Sequence, residues 1–228
     1  VSPLSSADTD AEATEAVETP EVDEAREAVV ALFREELGDA VLDHHIRPGD
    51  DLWIRVERAA WRQAGFVLRD RARCKAFGFL SAIDWLPSPY GLGEDSPTDA
   101  PPEPDTEIVT GYAGGDTRFQ VFARATSHSA KLGVTLKTDI PDDDLTLDTW
   151  LSVYAGVDWH ERELREMFGI TAIGHGHLAP LYLPGEFEGH PLRKDFPLLA
   201  RHVKAWPGIV DVEPMPAEAG GADEEASE

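Results

Sequence analysis

The chain has 228 residues, of which 42% are hydrophobic, and a formal net charge of −24 at pH 7. That length fits one domain with extensions or two small domains, and the apolar fraction is enough for a packed core. The acidity argues against nucleic-acid binding, and no run of about 18 apolar residues is present to cross a bilayer.

The charge is unevenly placed. Residues 1–24, 94–107 and 211–228 together hold 21 acidic residues and no Lys or Arg. The remainder is close to neutral, so the acidity belongs to tails and a loop. The single cysteine, Cys74, excludes an internal disulfide and a cysteine-ligated iron–sulfur cluster, and fits a reducing cytoplasm. The acidic first stretch lacks an apolar h-region, so no secretory signal is expected.

In chain order, residues 1–22 are rich in Ala, Glu, Thr, Ser and Asp and read as a disordered acidic tail. A helix is predicted from Asp23, with Ala25, Val29, Leu32, Phe33 and Leu37 on one side and Gly38 as its stop. Residues 41–46 and 52–56 are β-leaning runs around the turn Arg47-Pro48-Gly49-Asp50-Asp51, and predict a hairpin. Residues 58–70 predict a second helix despite Gly65, with Ala60, Trp61, Ala64 and Leu68 facing inward. Residues 77–85 predict a third strand. The stretch 87–117 is a long acidic Pro/Gly loop, read as a surface insertion.

Residues 118–126 alternate, with Phe119, Val121 and Ala123 opposite Gln120, Phe122 and Arg124. Residues 131–138 complete a second hairpin. The order α-β-β-α-β-β-β predicts an α+β fold: a two-layer domain over 23–156, with a mixed sheet of about five strands and two helices on one face. Residues 145–155 read as a short helix or turn leading to the next segment.

That segment, 157–210, combines a short charged helix with an extended proline-rich arm. Asp158 is the expected N-cap, with Glu161 as a capping-box-like partner. His160, Leu164, Met167 and Phe168 share one face, while Glu161 with Arg165 and Arg162 with Glu166 are i,i+4 ion pairs on the other. Gly169 is a natural left-handed helix stop. Beyond it Pro180, Pro184, Pro191 and Pro197 forbid a helix or central strand, yet Leu178, Leu181, Tyr182, Leu183, Phe187, Leu192 and Phe196 are large and apolar. Such a strip suits lying along another surface, its own domain or a partner. Residues 211–228 read as a second disordered acidic tail.

Enzyme, metal and nucleotide readings are weak on the residues. Glu161 and Glu163 are two apart on a helix and diverge by roughly 160°, so they do not flank one bond. His175 and His177 could chelate, but three or four ligands are needed, and His44 and His45 point to opposite faces of a strand. No dinucleotide fingerprint or P-loop occurs. The basic cluster His190, Arg193, Lys194, Arg201, His202 and Lys204 suits an acidic protein partner better than a nucleic acid.

The blocks Glu161-Arg162-Glu163, Phe168-Gly169-Ile170, Gly174-His175, Leu183-Pro184 and 188–197 (Glu-Gly-His-Pro-Leu-Arg-Lys-Asp-Phe-Pro) recur in order. Together they resemble the signature of the C-type, or 30 kDa, subunit of proton-translocating NADH-quinone oxidoreductase, respiratory complex I. The departures are Gly176-His177 and Ala179-Pro180, where the family usually has Pro-Asp and a pair of arginines, and Phe196-Pro197, where Tyr-Pro is commoner.

The resemblance implies an accessory subunit of the peripheral arm that braces the quinone-reducing module on the cytoplasmic face of the membrane, held there through the complex. It implies the D-type, quinone-site subunit as the main partner, with the B-type and I-type subunits nearby. FMN, iron–sulfur clusters and quinone would sit in partner subunits, with no catalytic residue, cofactor or metal in this chain. The interface residues it implies are Glu161, Arg162, Glu163, Phe168, Gly174, His175, Leu183, Pro184, Gly189, His190, Pro191, Arg193, Lys194, Asp195, Phe196 and Trp206. The equivalent subunit of a membrane-bound hydrogenase, or of a ferredoxin- or deazaflavin-dependent quinone oxidoreductase, is the alternative. A free-standing metal-dependent hydrolase built on the histidines is a remote one.

Overall fold

A computed structural model describes residues 23–87 and 107–196. The two acidic tails, most of the 87–117 loop, Pro197 and Trp206 lie outside the described residues.

The domain begins with α1 (Glu24–Leu37), capped by the Asp23 carboxylate, which accepts from Arg26 N. Its buried residues are Arg26, Val29, Val30 and Phe33, so the inward face is rotated from the expected one and Ala25 is exposed. The hairpin of β1 (Val41–Arg47) and β2 (Asp51–Val56) follows. A helical stretch then runs as a 3-10 turn, α2 (Trp61–Phe66) and a π turn over Val67–Arg71, burying Trp61, Ala64 and Leu68. Next come β3 (Ala76–Asp84), β4 (Phe119–Ser127) and β5 (Leu132–Ile140), an antiparallel meander.

The sheet order is β1-β2-β5-β4-β3, with β2 and β5 parallel and every other pairing antiparallel. The fold is thus a two-layer α+β domain with a mixed five-stranded sheet. Period-2 alternation sends Leu52, Ile54, Val121, Ala123, Val134 and Leu136 to the helical layer, where all are fully buried. Against them pack Val30, Phe33, Trp61 and Leu68. Each fully buried Leu or Ile contributes on the order of 2 kcal/mol through the area removed from water.

The stretch read as a short helix or turn divides in two. Thr146–Asp148 form β6, which pairs in parallel with β7 (Thr171–Ile173) in a separate two-stranded sheet. A turn carrying Trp150 follows. Trp150 is fully buried and stacks on Trp61 at 4.4 Å, and its indole N–H donates to the Trp61 carbonyl at 3.0 Å. Of the two forms expected here the turn is the one seen, and it brings Trp150, Val153 and Tyr154 to the core without a 3.6-residue face. Between β6 and β7 runs α3 (Val157–Phe168), packed along β3.

Candidate docking site

The α3 helix buries Val157, Glu161, Leu164 and Phe168, one stripe at helical spacing. A carboxylate thus sits on the apolar face. Glu161 accepts from Trp150 N and from the Thr149 hydroxyl, each at 2.6 Å. Burial pushes its carboxyl above the ordinary range, and these two donors only partly offset that. The expected surface pair of Glu161 with Arg165 therefore does not form. Asp158 is not the N-cap either. The cap position is Gly156, and Asp158 lies in the first turn, where its carboxylate suits the positive end of the helix dipole.

Beside Glu161 lies His175, whose side chain is 1% exposed. Its Nδ1 accepts the backbone N–H of His177 at 3.1 Å, which leaves Nε2 to carry the proton in the neutral ring. Nε2 stands 3.1 Å from Asp158 Oδ1 and 4.0 Å from Glu161 Oε2. His175 and His177 are thus partners in a turn. No group of three or more potential metal ligands converges among the described residues.

The opposite face of α3 holds the arm. Arg162 donates to the carbonyls of Ala179 at 2.9 Å and Pro180 at 3.0 Å, and Arg165 donates to that of Leu178 at 2.8 Å. One turn on, the Glu166 carboxylate accepts the backbone N–H groups of Leu181, Tyr182 and Leu183 at 3.1, 2.9 and 2.7 Å. Burial pushes Glu166 up, but those three donors outweigh it and hold its carboxyl below the usual range. The expected Arg162–Glu166 pair is replaced by these contacts. An exposed ion pair is worth at most about 1 kcal/mol, while arm backbone that cannot pair with itself gains from charged partners. Arg162 meets only backbone carbonyls at Ala179 and Pro180, so these two contacts do not depend on the side chains there.

The end of α3 takes over from its side. His190 Nδ1 donates to the Glu166 carbonyl at 2.9 Å, Leu192 N to that of Met167 at 3.2 Å, and Arg193 Nε to that of Phe168 at 2.7 Å. These carbonyls are among the last four of the helix, which have no partner within it. Gly169 serves twice: its φ of 77° suits the left-handed stop, and a Cβ there would lie 2.6 Å from His190 Nε2. Gly189, at φ 94°, leaves room for Phe196, whose ring stacks on Phe187 at 5.9 Å.

Finally the arm reaches the sheet. Lys194 N donates to Asp84 Oδ2 at 2.8 Å, and Asp195 pairs with Arg118 at 3.0 Å. Asp84, its side chain wholly buried, also receives the Arg118 fork at 2.8 and 2.7 Å and Leu86 N at 3.0 Å. Asp84 and Arg118 are the residues sequence reasoning missed. Their signal was faint: an acid ending one apolar strand and an arginine opening the next.

Of the expected interface residues, Arg162, His190, Arg193, Lys194 and Asp195 hold the arm through contacts within the chain. Glu161 and His175 lie beneath α3, Phe168 joins the core, and Glu163 is half-buried on the helix. Leu183 and Pro184 sit on the clamped arm, where the Pro184 carbonyl accepts Phe187 N, and Pro191 is half-buried near its end. Gly174, at φ 87°, turns the chain out of β7. The arm, α3 and the end of β7 also turn large apolar groups outward: Trp159 is 66% exposed and Tyr182 62%, with Ile173, Phe187 and Leu192 also exposed. Exposed aromatics on a fixed backbone are what a protein interface uses.

A family model described as the respiratory-chain NADH dehydrogenase, 30 Kd subunit, matches residues 54–202. The NADH-quinone oxidoreductase C/D subunits of Yersinia pestis (strain Pestoides F) and Yersinia pseudotuberculosis serotype O:3 (strain YPIII) are each 41% identical over 85 residues. That alignment takes in 37% of this chain and 14% of theirs, so the chain accounts for a small part of those longer proteins. Among solved structures, a chain of the membrane-bound sulfane sulfur reductase, an archaeal respiratory membrane complex, superposes with a TM-score of 0.53 at 17% identity, covering 84% of this chain and 95% of that one. A trypsin-resistant fragment of Nqo5 aligns with a TM-score of 0.46 at 16% identity, covering 67% and 99%. With the family model spanning more than half its length, this chain belongs to the respiratory-chain NADH dehydrogenase 30 Kd subunit family.

Proposed function

We propose that this chain is an accessory subunit of the peripheral arm of a proton-translocating NADH-quinone oxidoreductase, where it braces the quinone-reducing module. The observation that carries this reading is the clamped arm: α3 fixes an irregular backbone and leaves Trp159, Tyr182 and Leu192 facing out. Pre-ordering such a strip lowers the entropy cost of docking. A D-type, quinone-site neighbour is the foremost partner, with the B-type and I-type subunits adjoining. The name of the matched relatives, which joins C and D in one designation, supports it. In this reading FMN, iron–sulfur clusters and quinone belong to other subunits, and this chain supplies contacts and no catalytic group. Among the described residues no helix is long and apolar enough to cross a membrane, which accords with attachment through partners.

A second reading is favoured by the fold likeness to a chain of another respiratory membrane complex. There the same brace would serve an enzyme with a different electron donor, such as a hydrogenase or a ferredoxin- or deazaflavin-dependent relative. Pull-down of the tagged full chain from gently solubilised membranes decides. Iron and NADH-dependent quinone reduction in the eluate support the first reading, and iron without NADH activity supports the second. A lone, iron-free chain overturns both.

A further inference from the structure

The sheet face turned away from the helices carries a cavity unrelated to the arm. It has a volume of about 620 Å³, within the range of small-molecule sites. Its walls are aromatic. Tyr112 stacks on His45 at 4.4 Å and tilts against Trp53 at 5.9 Å, and Trp53 in turn tilts against Phe122 at 6.3 Å. Trp85 and Lys137 also line it.

Two donors on residues that line the cavity are left short of acceptors. The first is Lys137, only 2% exposed on β5. Its ammonium donates to the Tyr112 carbonyl at 2.6 Å and lies 5.8 Å from the Trp85 ring. An ammonium has three protons, so two are left without an acceptor among the described residues. Asp139 and Asp43 attract the ammonium, but neither accepts a hydrogen bond from it: Asp139 is engaged by Arg55, at 2.9 Å, and by Gln120, and Asp43 accepts His44 N. The second donor is the Trp53 indole N–H, which is buried without a partner among the described residues. Trp85 makes the contrast, since its N–H is satisfied by Gln120 Oε1 at 2.7 Å. A buried donor left unpaired is costly, so an acceptor delivered here is favoured.

We propose that this cavity is a binding site for a small planar aromatic carboxylate. The ring is matched by the walls of Trp53, Tyr112 and Phe122. The carboxylate supplies the acceptors that Lys137 Nζ and Trp53 Nε1 lack. A cation is disfavoured by the buried ammonium, and a neutral ring leaves both donors unsatisfied. The proposal stands apart from the docking role, because the cavity and the arm share no residue.

The test is calorimetric titration of the full chain with naphthoate, with neutral naphthalenemethanol and cationic naphthylmethylammonium as size-matched controls. Saturable one-site binding of naphthoate alone is expected. Lys137→Met should weaken it by about tenfold or more, and Trp53→Phe, which keeps a ring but removes the N–H, by about fivefold. Circular dichroism checks the fold of each variant, and if Lys137→Met does not fold, Trp53→Phe decides. The absence of saturable binding, equal binding of all three probes, or wild-type affinity in a folded variant overturns the proposal.

Discussion

Lys194 donates its backbone N–H to the Asp84 carboxylate at 2.8 Å, joining the far end of the arm to the end of β3 across 110 residues. The same carboxylate takes the Arg118 fork, so one buried acid links two strands and the arm. Asp84→Ala would leave Arg118 without its main partner. Breaking a buried pair of this kind costs about 3–5 kcal/mol, and thermal unfolding should show it. Hydrogen exchange at the Lys194 amide should accelerate as well. Burial pushes Asp84 up, but Arg118 and the backbone donors outweigh it and hold the carboxyl below its ordinary value of 3.8. With the folded value depressed, this stabilisation is present above pH 3.8 and is lost as pH falls through the lower folded value. Asp84→Asn should flatten that part of the melting-temperature profile against pH.

Glu166 offers a way to loosen the arm and spare the core. Its carboxylate satisfies three successive arm amides. Glu166→Ala should speed exchange at Leu181, Tyr182 and Leu183 by about tenfold or more, with global stability lowered by only about 1–2 kcal/mol. If the proposed function holds, recovery of the complex in the pull-down should fall with it. Unchanged exchange at these amides would contradict the clamp.

Glu161 separates charge from shape. Glu161→Gln keeps an acceptor for Trp150 N and should cost about 1 kcal/mol or less. Glu161→Ala leaves that N–H and the Thr149 hydroxyl unpaired and opens a void, and should cost about 3 kcal/mol in denaturant unfolding. The sign with pH is opposite to that of Asp84. With its pKa raised by burial, the favourable contribution of Glu161 is complete below the ordinary value of 4.5 and declines as pH rises through the folded value. Melting curves should show Glu161→Gln gaining on the wild type as pH rises over that interval.

Gly65 inverts an ordinary expectation. Gly→Ala within a helix usually stabilises by roughly 1 kcal/mol. Here an added Cβ would stand 2.8 Å from Cε2 of Trp150, the ring that stacks on Trp61. Gly65→Ala should therefore destabilise by about 1–3 kcal/mol, seen as a lower melting temperature. A stabilised variant would mean that Trp150 moves freely, against its full burial.

Local signals made most of the architecture legible. β-leaning runs, turn signals and, at 118–126, alternation marked β1 to β5, apolar spacing marked α1 and the α2 stretch, and Gly169 marked the end of α3, because these depend on contacts within a few residues. The ordered blocks of the arm carried the family resemblance in the same way. What only the tertiary structure decided was the partner of each charge. The ERELRE run reads locally as surface ion pairs, yet Glu161 turns inward to Trp150, while Arg162, Arg165 and Glu166 grip a backbone 13 to 18 residues on. Asp84 and Arg118 became the anchor of the arm, and β6 with β7 a sheet, through pairings still more remote in sequence. The physical reason is that a proline-broken backbone has hydrogen-bonding groups to satisfy and no periodic way to do so. It takes whichever charged side chains the fold brings alongside, and that proximity is written in the packing and not in the spacing.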